Sequence, residues 1–85
     1  MKPFLVSILT AEKKVYQGEA VSLVVPAALG FMGILADHAP YLARLTAGKI
    51  VLKKTEEDPG TVFYSKGKGF LEILKNKVTM LLDEA

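Results

Sequence analysis

The sequence predicts an all-β fold, a sandwich or small barrel of seven to ten short strands, and three observations carry that prediction. Apolar residues alternate with a period of two in one segment after another. Glycine and proline clusters separate these segments at short intervals. The first gaps are shorter than the dozen or more residues that a parallel crossover needs, so antiparallel pairing is expected. A chain of 85 residues suits one domain over 1–85 and leaves no room for a second. A domain this small buries only about 60% of its unfolded surface. The hydrophobic fraction of 51% and the mean hydropathy of +0.31 supply the dense core it then needs.

The elements follow in chain order. Phe4 to Thr10 places Phe4, Val6 and Ile8 on one face and Leu5, Ser7 and Leu9 on the other, and its residue types favour strand. Lys13 to Gly18 forms a second strand around Val15 and Tyr16, and Ala20 to Val25 a third with Val21, Leu23 and Val25 on one face, ended by Pro26. Gly30 and Gly33 punctuate the apolar run from Ala28 to Leu35, and glycine within a strand marks a bulge or a close backbone approach. Leu42 to Leu45 and Lys49 to Lys53 flank Thr46-Ala47-Gly48 as another pair. Thr55 to Gly60 is charged, ends in Pro-Gly and reads as an exposed hairpin tip before the strand Thr61 to Ser65. Gly67-Lys68-Gly69 turns the chain again. From Phe70 onward two patterns compete. Phe70, Ile73, Leu74, Leu81 and Leu82 lie near one helical stripe, whereas Leu71 and Ile73, then Val78, Met80 and Leu82, alternate about a break at Asn76-Lys77; the two-strand reading is favoured.

Charge and residue chemistry exclude more than they select. Eleven basic and nine acidic residues leave a net charge of +2, and Lys53-Lys54 is answered at once by Glu56-Glu57-Asp58, so a nucleic-acid partner is not favoured. The absence of cysteine rules out disulfides and thiolate metal sites. One histidine among scattered carboxylates supplies no metal-ligand spacing, and no metal or cofactor is expected. His38 beside Asp37 suggests a general base, but sequence neighbours are not a dyad, and no serine sits in a nucleophile elbow; the pair reads as a loop with a local Asp37 turn bond, and no catalytic residue is expected. Gly67-Lys68-Gly69 lacks the upstream glycine and following Ser or Thr of a phosphate loop. Apolar stretches fall far short of the roughly 18 residues that span a bilayer, and Met1-Lys2-Pro3 opens without a targeting run. The aromatic residues fit core positions, except Phe31 and Tyr41. Leu29 and Ile34 are balanced between core and surface, whereas the glycines beside Phe31 and Met32 turn those side chains outward as interface residues.

The order of these pieces resembles the amino-terminal β-sandwich domain of the epsilon subunit of F-type ATP synthases along the whole chain. The resemblance is carried by Leu5 to Glu19, Val21 to Pro26, Gly30 to Leu35 with His38-Ala39-Pro40-Tyr41-Leu42, Gly48-Lys49-Ile50, Gly67 to Ile73, and Asn76 to Thr79. It implies a flattened antiparallel sandwich of about ten strands at the foot of the rotor stalk. It further implies a non-catalytic subunit that binds gamma and the c-ring and couples ion flow to rotation. Such a subunit would lie on the cytoplasmic face of a bacterial inner membrane, touching the membrane only through the complex. By position, Leu29, Gly30, Phe31, Met32, Gly33 and His38 match the c-ring side, and Thr10, Leu42 and Ala43 the gamma side.

The chain also departs from the family pattern. Leu29 and Phe31 stand where the family usually has acidic residues, which implies a more apolar contact. Ala36-Asp37 replaces a usual Pro-Gly, and Lys68 interrupts a glycine pair. The inhibitory and ATP-binding properties of the family's carboxy-terminal helical hairpin are not expected of these 85 residues. An unrelated β-sandwich adaptor using the same loop, and a small enzyme or carbohydrate binder around His38, are the alternatives.

Overall fold

Nine strands and no helix make up the computed structural model, which describes residues 1–83; the expected single domain therefore runs two residues past what is described. The strands are β1 (Phe4–Thr10), β2 (Lys14–Ala20), β3 (Ser22–Ala27), β4 (Gly30–Ile34), β5 (Tyr41–Leu45), β6 (Gly48–Lys53), β7 (Thr61–Ser65), β8 (Gly69–Leu74) and β9 (Lys77–Leu82). They form one curled sheet in the order β2-β1-β9-β8-β5-β3-β6-β7, with β4 paired to β3. The curl turns at β5 and β3, where a single pair, Ala27 with Leu45, joins two well-paired halves into the layers of a sandwich. The all-β expectation is borne out, with nine strands among the described residues, within the seven to ten read from the sequence.

Alternation builds the core. Phe4, Val6 and Ile8 of β1 meet Val78 and Met80 of β9 and Leu71 and Ile73 of β8 on one side, and Leu23, Val25, Ile34, Ile50 and Leu52 on the other, in one buried cluster. Non-directional burial of this kind drives folding. The alternate residues of the same strands face outward, and several of those are also apolar.

Four local expectations change. One neighbour pair, β1 with β9, is parallel, because the whole intervening chain serves as its crossover. β3 runs through Pro26 instead of stopping before it. Pro26 lies between the β6 ladder, which covers Ser22 to Val24, and the lone β5 pair at Ala27, so its missing N–H breaks no ladder bond, while its carbonyl accepts the Thr46 N–H at 2.8 Å. The chain from Phe70 is two strands, but the break is Lys75-Asn76, one residue earlier than expected. Both residues have positive φ, 49° and 60°, the backbone of a type I′ hairpin turn that follows the sheet twist. Finally, Phe70 and Tyr64, expected in the core, are 61% and 59% exposed. Their neighbours Leu71 and Ser65 take the inward positions.

The sheet's two terminal strands approach each other through side chains. The Tyr16 ring of β2 lies 5.7 Å from that of Phe63 on β7, and Lys54 Nζ sits 5.6 Å from the Tyr16 centroid. Burial, then the charges of Asp58 and Glu19, raise the Tyr16 pKa. Among the described residues no helix is long and apolar enough to cross a membrane.

Candidate functional site

The β3–β4 hairpin turns at Ala28-Leu29 and re-enters the sheet at Gly30, whose φ of +128° explains its glycine. Leu29 is fully exposed and Phe31 73% exposed, so the surface half of the Leu29 expectation holds, whereas Ile34 is buried. Met32 departs from expectation. It pairs with Val25, shares that residue's inward side and packs half-buried against the core, leaving Phe31 as the presented side chain. A Cβ on Gly33 would meet open space, so neither crowding nor positive φ demands glycine there.

This tip forms one wall of an apolar groove of about 600 Å³. Ala27, Ala28 and Ala43 supply small surfaces, and Leu29, Phe31, Tyr41, Leu42 and Phe70 bulky ones. Leu29, Gly30, Phe31 and Met32, expected to face one partner, thus share a groove with Leu42 and Ala43, expected to face another. Gly33, His38 and Thr10 are not part of its lining. Leu42 is 74% exposed, and its outward neighbour Arg44 pairs across β8 with Phe70. Phe70 in turn pairs with Leu81 of β9, and Leu81 with Leu9 of β1. An outward ribbon, Arg44-Phe70-Leu81-Leu9, therefore crosses four strands. Sequence reasoning missed Phe70 and Leu81 as surface residues, although the inward alternation of Leu71, Ile73, Met80 and Leu82 marks them as outward.

Thr10 lies elsewhere. It belongs to the row Leu45-Gly69-Leu82-Thr10, whose other members are buried, and its hydroxyl is engaged in the β1–β2 turn, donating to the Lys13 carbonyl at 3.3 Å and accepting the Lys13 N–H at 3.2 Å.

His38 and Asp37 do not act on each other. His38 Nδ1 lies 2.8 Å from the Ala39 carbonyl oxygen, and its ring is 6.2 Å from that of Tyr41. Asp37, at φ +64°, makes long-range bonds rather than the expected local turn bond: its carboxylate accepts Asn76 Nδ2–H and Lys2 Nζ–H, both at 2.9 Å. Its backbone N–H donates to Asn76 Oδ1. The Asn76 hydrogen bond, then Lys2, hold the Asp37 carboxyl below its ordinary pKa. This clasp joins the amino terminus, the β4–β5 loop and the β8–β9 turn. It replaces the conformational freedom that glycine brings to a left-handed position with side-chain bonding, which aspartate tolerates better than most residues.

Residues 3–85 match the family described as ATP synthase, Delta/Epsilon chain, beta-sandwich domain. The chain belongs to this family. It is 39% identical over 85 residues to an ATP synthase epsilon chain of Halorhodospira halophila, a match covering 100% of this chain and 60% of that protein. It is 38% identical, with the same coverage, to the sodium ion specific epsilon chain of Propionigenium modestum. The chain thus spans about three-fifths of these relatives. A chain of the Euglena gracilis mitochondrial ATP synthase, in a structure of OSCP, F1 and c-ring, shares the fold with a TM-score of 0.85 at 17% identity over 95% of this epsilon-type domain and 51% of that chain. A chain from the central stalk and c-ring of the Tetrahymena thermophila mitochondrial enzyme does so with a TM-score of 0.75 at 15% identity, covering 92% and 61%.

Proposed function

We propose that this epsilon-type domain is a central-stalk subunit of an F-type ATP synthase that binds gamma and the c-ring and couples ion translocation to ATP synthesis, with no chemical step of its own. The observation that supports this reading most is the exposed apolar groove between the β3–β4 tip, β5 and β8. Leu29, Phe31, Leu42 and Phe70 are all more than half exposed around it. Clustered exposed apolar groups of this kind are what a protein interface covers. The family match and the likeness to chains from central-stalk and c-ring assemblies support gamma and the c-ring as the partners in this reading.

In this assignment Leu42, Ala43 and the ribbon through Phe70 meet gamma, while Leu29 to Gly33 at the hairpin tip and His38, in the β4–β5 loop beyond the other end of β4, meet the c-ring. Thr10 belongs to the gamma side through the end of β1 and not through the groove. The subunit is peripheral, held at the cytoplasmic face of a bacterial inner membrane by its complex. Because the chain has no cysteine, single reporters are unambiguous. In a complex purified through a tag on this chain, Leu42→Cys is expected to crosslink to gamma and Phe31→Cys to the loops of the ring subunit. Recovery of the chain without gamma or ring subunits would overturn the assignment, and exchanged crosslink partners would overturn the division of the surface.

A further inference from the structure

Two apolar depressions meet at Tyr41 and Leu42, and each carries one charge, of opposite sign. The groove described above has Arg44 as its one charged lining residue. On the other side of Leu42 lies a shallower trough of about 370 Å³, lined by Pro40, Tyr41, Leu42, Glu72, Ile73 and Leu74, where Glu72 is the one charge. Leu42 is directly opposite Glu72 and Arg44 opposite Phe70 in the β5–β8 ladder, so Arg44 and Glu72 occupy diagonal positions on one outward face. Diagonal neighbours are within reach of long side chains. Nevertheless they form no ion pair: among the described residues the ion pairs are Met1 with Glu56 and Lys2 with Asp37. Both side chains are exposed on a face where Leu42, Phe70 and Leu81 are joined by Thr79, which pairs with Glu72, and by Lys77, diagonal to Glu72 on β9 and not bonded to it.

We propose that Arg44 and Glu72 are a split charge pair that selects the polarity of the gamma segment docked here. That segment places apolar side chains on either side of the Leu42 ridge, a carboxylate against Arg44 and a basic side chain against Glu72. This inference rests on the reading of the groove as gamma's docking surface. Its physical basis is asymmetric. While exposed, each charge is solvated at little cost. Once covered, a charge without an opposite partner loses its hydration uncompensated, so a segment bound in reverse, or one lacking these charges, is rejected. Complementary rim charges also steer encounter, which makes association salt-dependent.

The test measures binding of the cognate gamma subunit to wild type, Arg44→Glu, Glu72→Arg and the double reversal, at low and moderate salt. Circular dichroism verifies that each variant folds. Each single reversal is expected to weaken binding about tenfold, chiefly through slower association at low salt. The double reversal is expected to bind more weakly than either single variant, because both charges then oppose those on gamma. Recovery of wild-type affinity in the double reversal would show that the two residues answer each other within this chain and would overturn the proposal. Single reversals within twofold of a wild type that does bind gamma would also overturn it, leaving the docking surface intact. Absence of binding by the wild type would overturn the docking reading and this inference together.

Discussion

Two glycine-to-alanine substitutions should move stability in opposite directions, for reasons visible in the backbone. Gly69 is buried where β8 pairs with Leu45 of β5 on one side and Leu82 of β9 on the other. A Cβ there would lie 2.7 Å from the Leu81 carbonyl oxygen and 3.1 Å from Leu82 Cδ2. The first neighbour is backbone and cannot swing aside, so β8 must shift against β9. Overpacking of this kind costs about 1–3 kcal/mol, against a gain of about 0.4–1 kcal/mol from restricting the unfolded chain. The net loss is about 1–2 kcal/mol. For a domain of this size that lowers Tm by roughly 5–15 °C. Gly33→Ala is the control, since its Cβ enters open space and its φ is not positive, so only the unfolded-state gain remains. It should raise stability by a few tenths to about 1 kcal/mol. Thermal and urea unfolding of both variants measures the difference. If Gly69→Ala unfolds at or above the wild-type temperature, the inferred crowding at Leu81 is wrong; if Gly33→Ala falls as far as Gly69→Ala, the loss reflects glycine in strands generally and not the packing.

Other perturbations test separate parts of the structure. Leu23→Ala removes a fully buried side chain from the centre of β3 and should cost about 2–5 kcal/mol, shifting the urea midpoint. Lys75→Gly relieves a left-handed φ at the first position of the type I′ turn and should stabilise by about 0.5–1 kcal/mol in the same assay. Asp58 accepts the backbone N–H groups of Lys54 and Gly60, and these bonds, in that order, lower its pKa, as Asn76 and then Lys2 lower that of Asp37. A carboxyl with a depressed folded pKa stabilises the fold above its unfolded pKa and loses that contribution as pH falls through the folded value. Stability should therefore decline in acid below about pH 4, and less steeply in Asp58→Asn than in wild type. Phe70→Ser should leave Tm nearly unchanged while weakening gamma binding, because the side chain is 61% exposed; a large fall in Tm with intact binding would assign Phe70 to the core instead.

Strand identity was legible because period-two alternation and turn residues are local properties, and Leu71, Ile73, Val78, Met80 and Leu82 all face inward as their spacing requires. What could not be read is set by pairing across the sequence. Pro26 looks like a strand end until the ladder beside it is seen to change partners at that residue. The parallel β1–β9 pair likewise leaves no local mark. At the site, the exposed tip was visible in Leu29, Gly30 and Phe31, but the groove was not, since Leu42 and Phe70 reach it only through the β5–β8 register. Met32 shows the limit of reasoning from flanking glycines: one residue's shift along a strand exchanges its inward and outward faces, and its pairing with Val25 decides the side.

The same register explains how a domain this small can offer so much apolar surface without giving up its core. Each strand of the β5-β8-β9-β1 layer commits alternate positions to the interior, where Leu45, Leu71, Met80 and Ile8 are almost fully buried, and the positions between them add nothing to that burial. Substitution at Leu42, Phe70 or Leu81 is therefore weakly coupled to folding, and those side chains can be matched to a partner independently of the core. Asp37 gains its freedom differently. Its left-handed backbone is supported by bonds to Asn76 and Lys2 from two distant segments, so the loop leading to Tyr41 is fixed from outside the groove. The surface chemistry of the tip that carries Leu29 and Phe31 can thus vary while the loop leading to Tyr41 is held by Asp37, Asn76 and Lys2, none of which lines the groove.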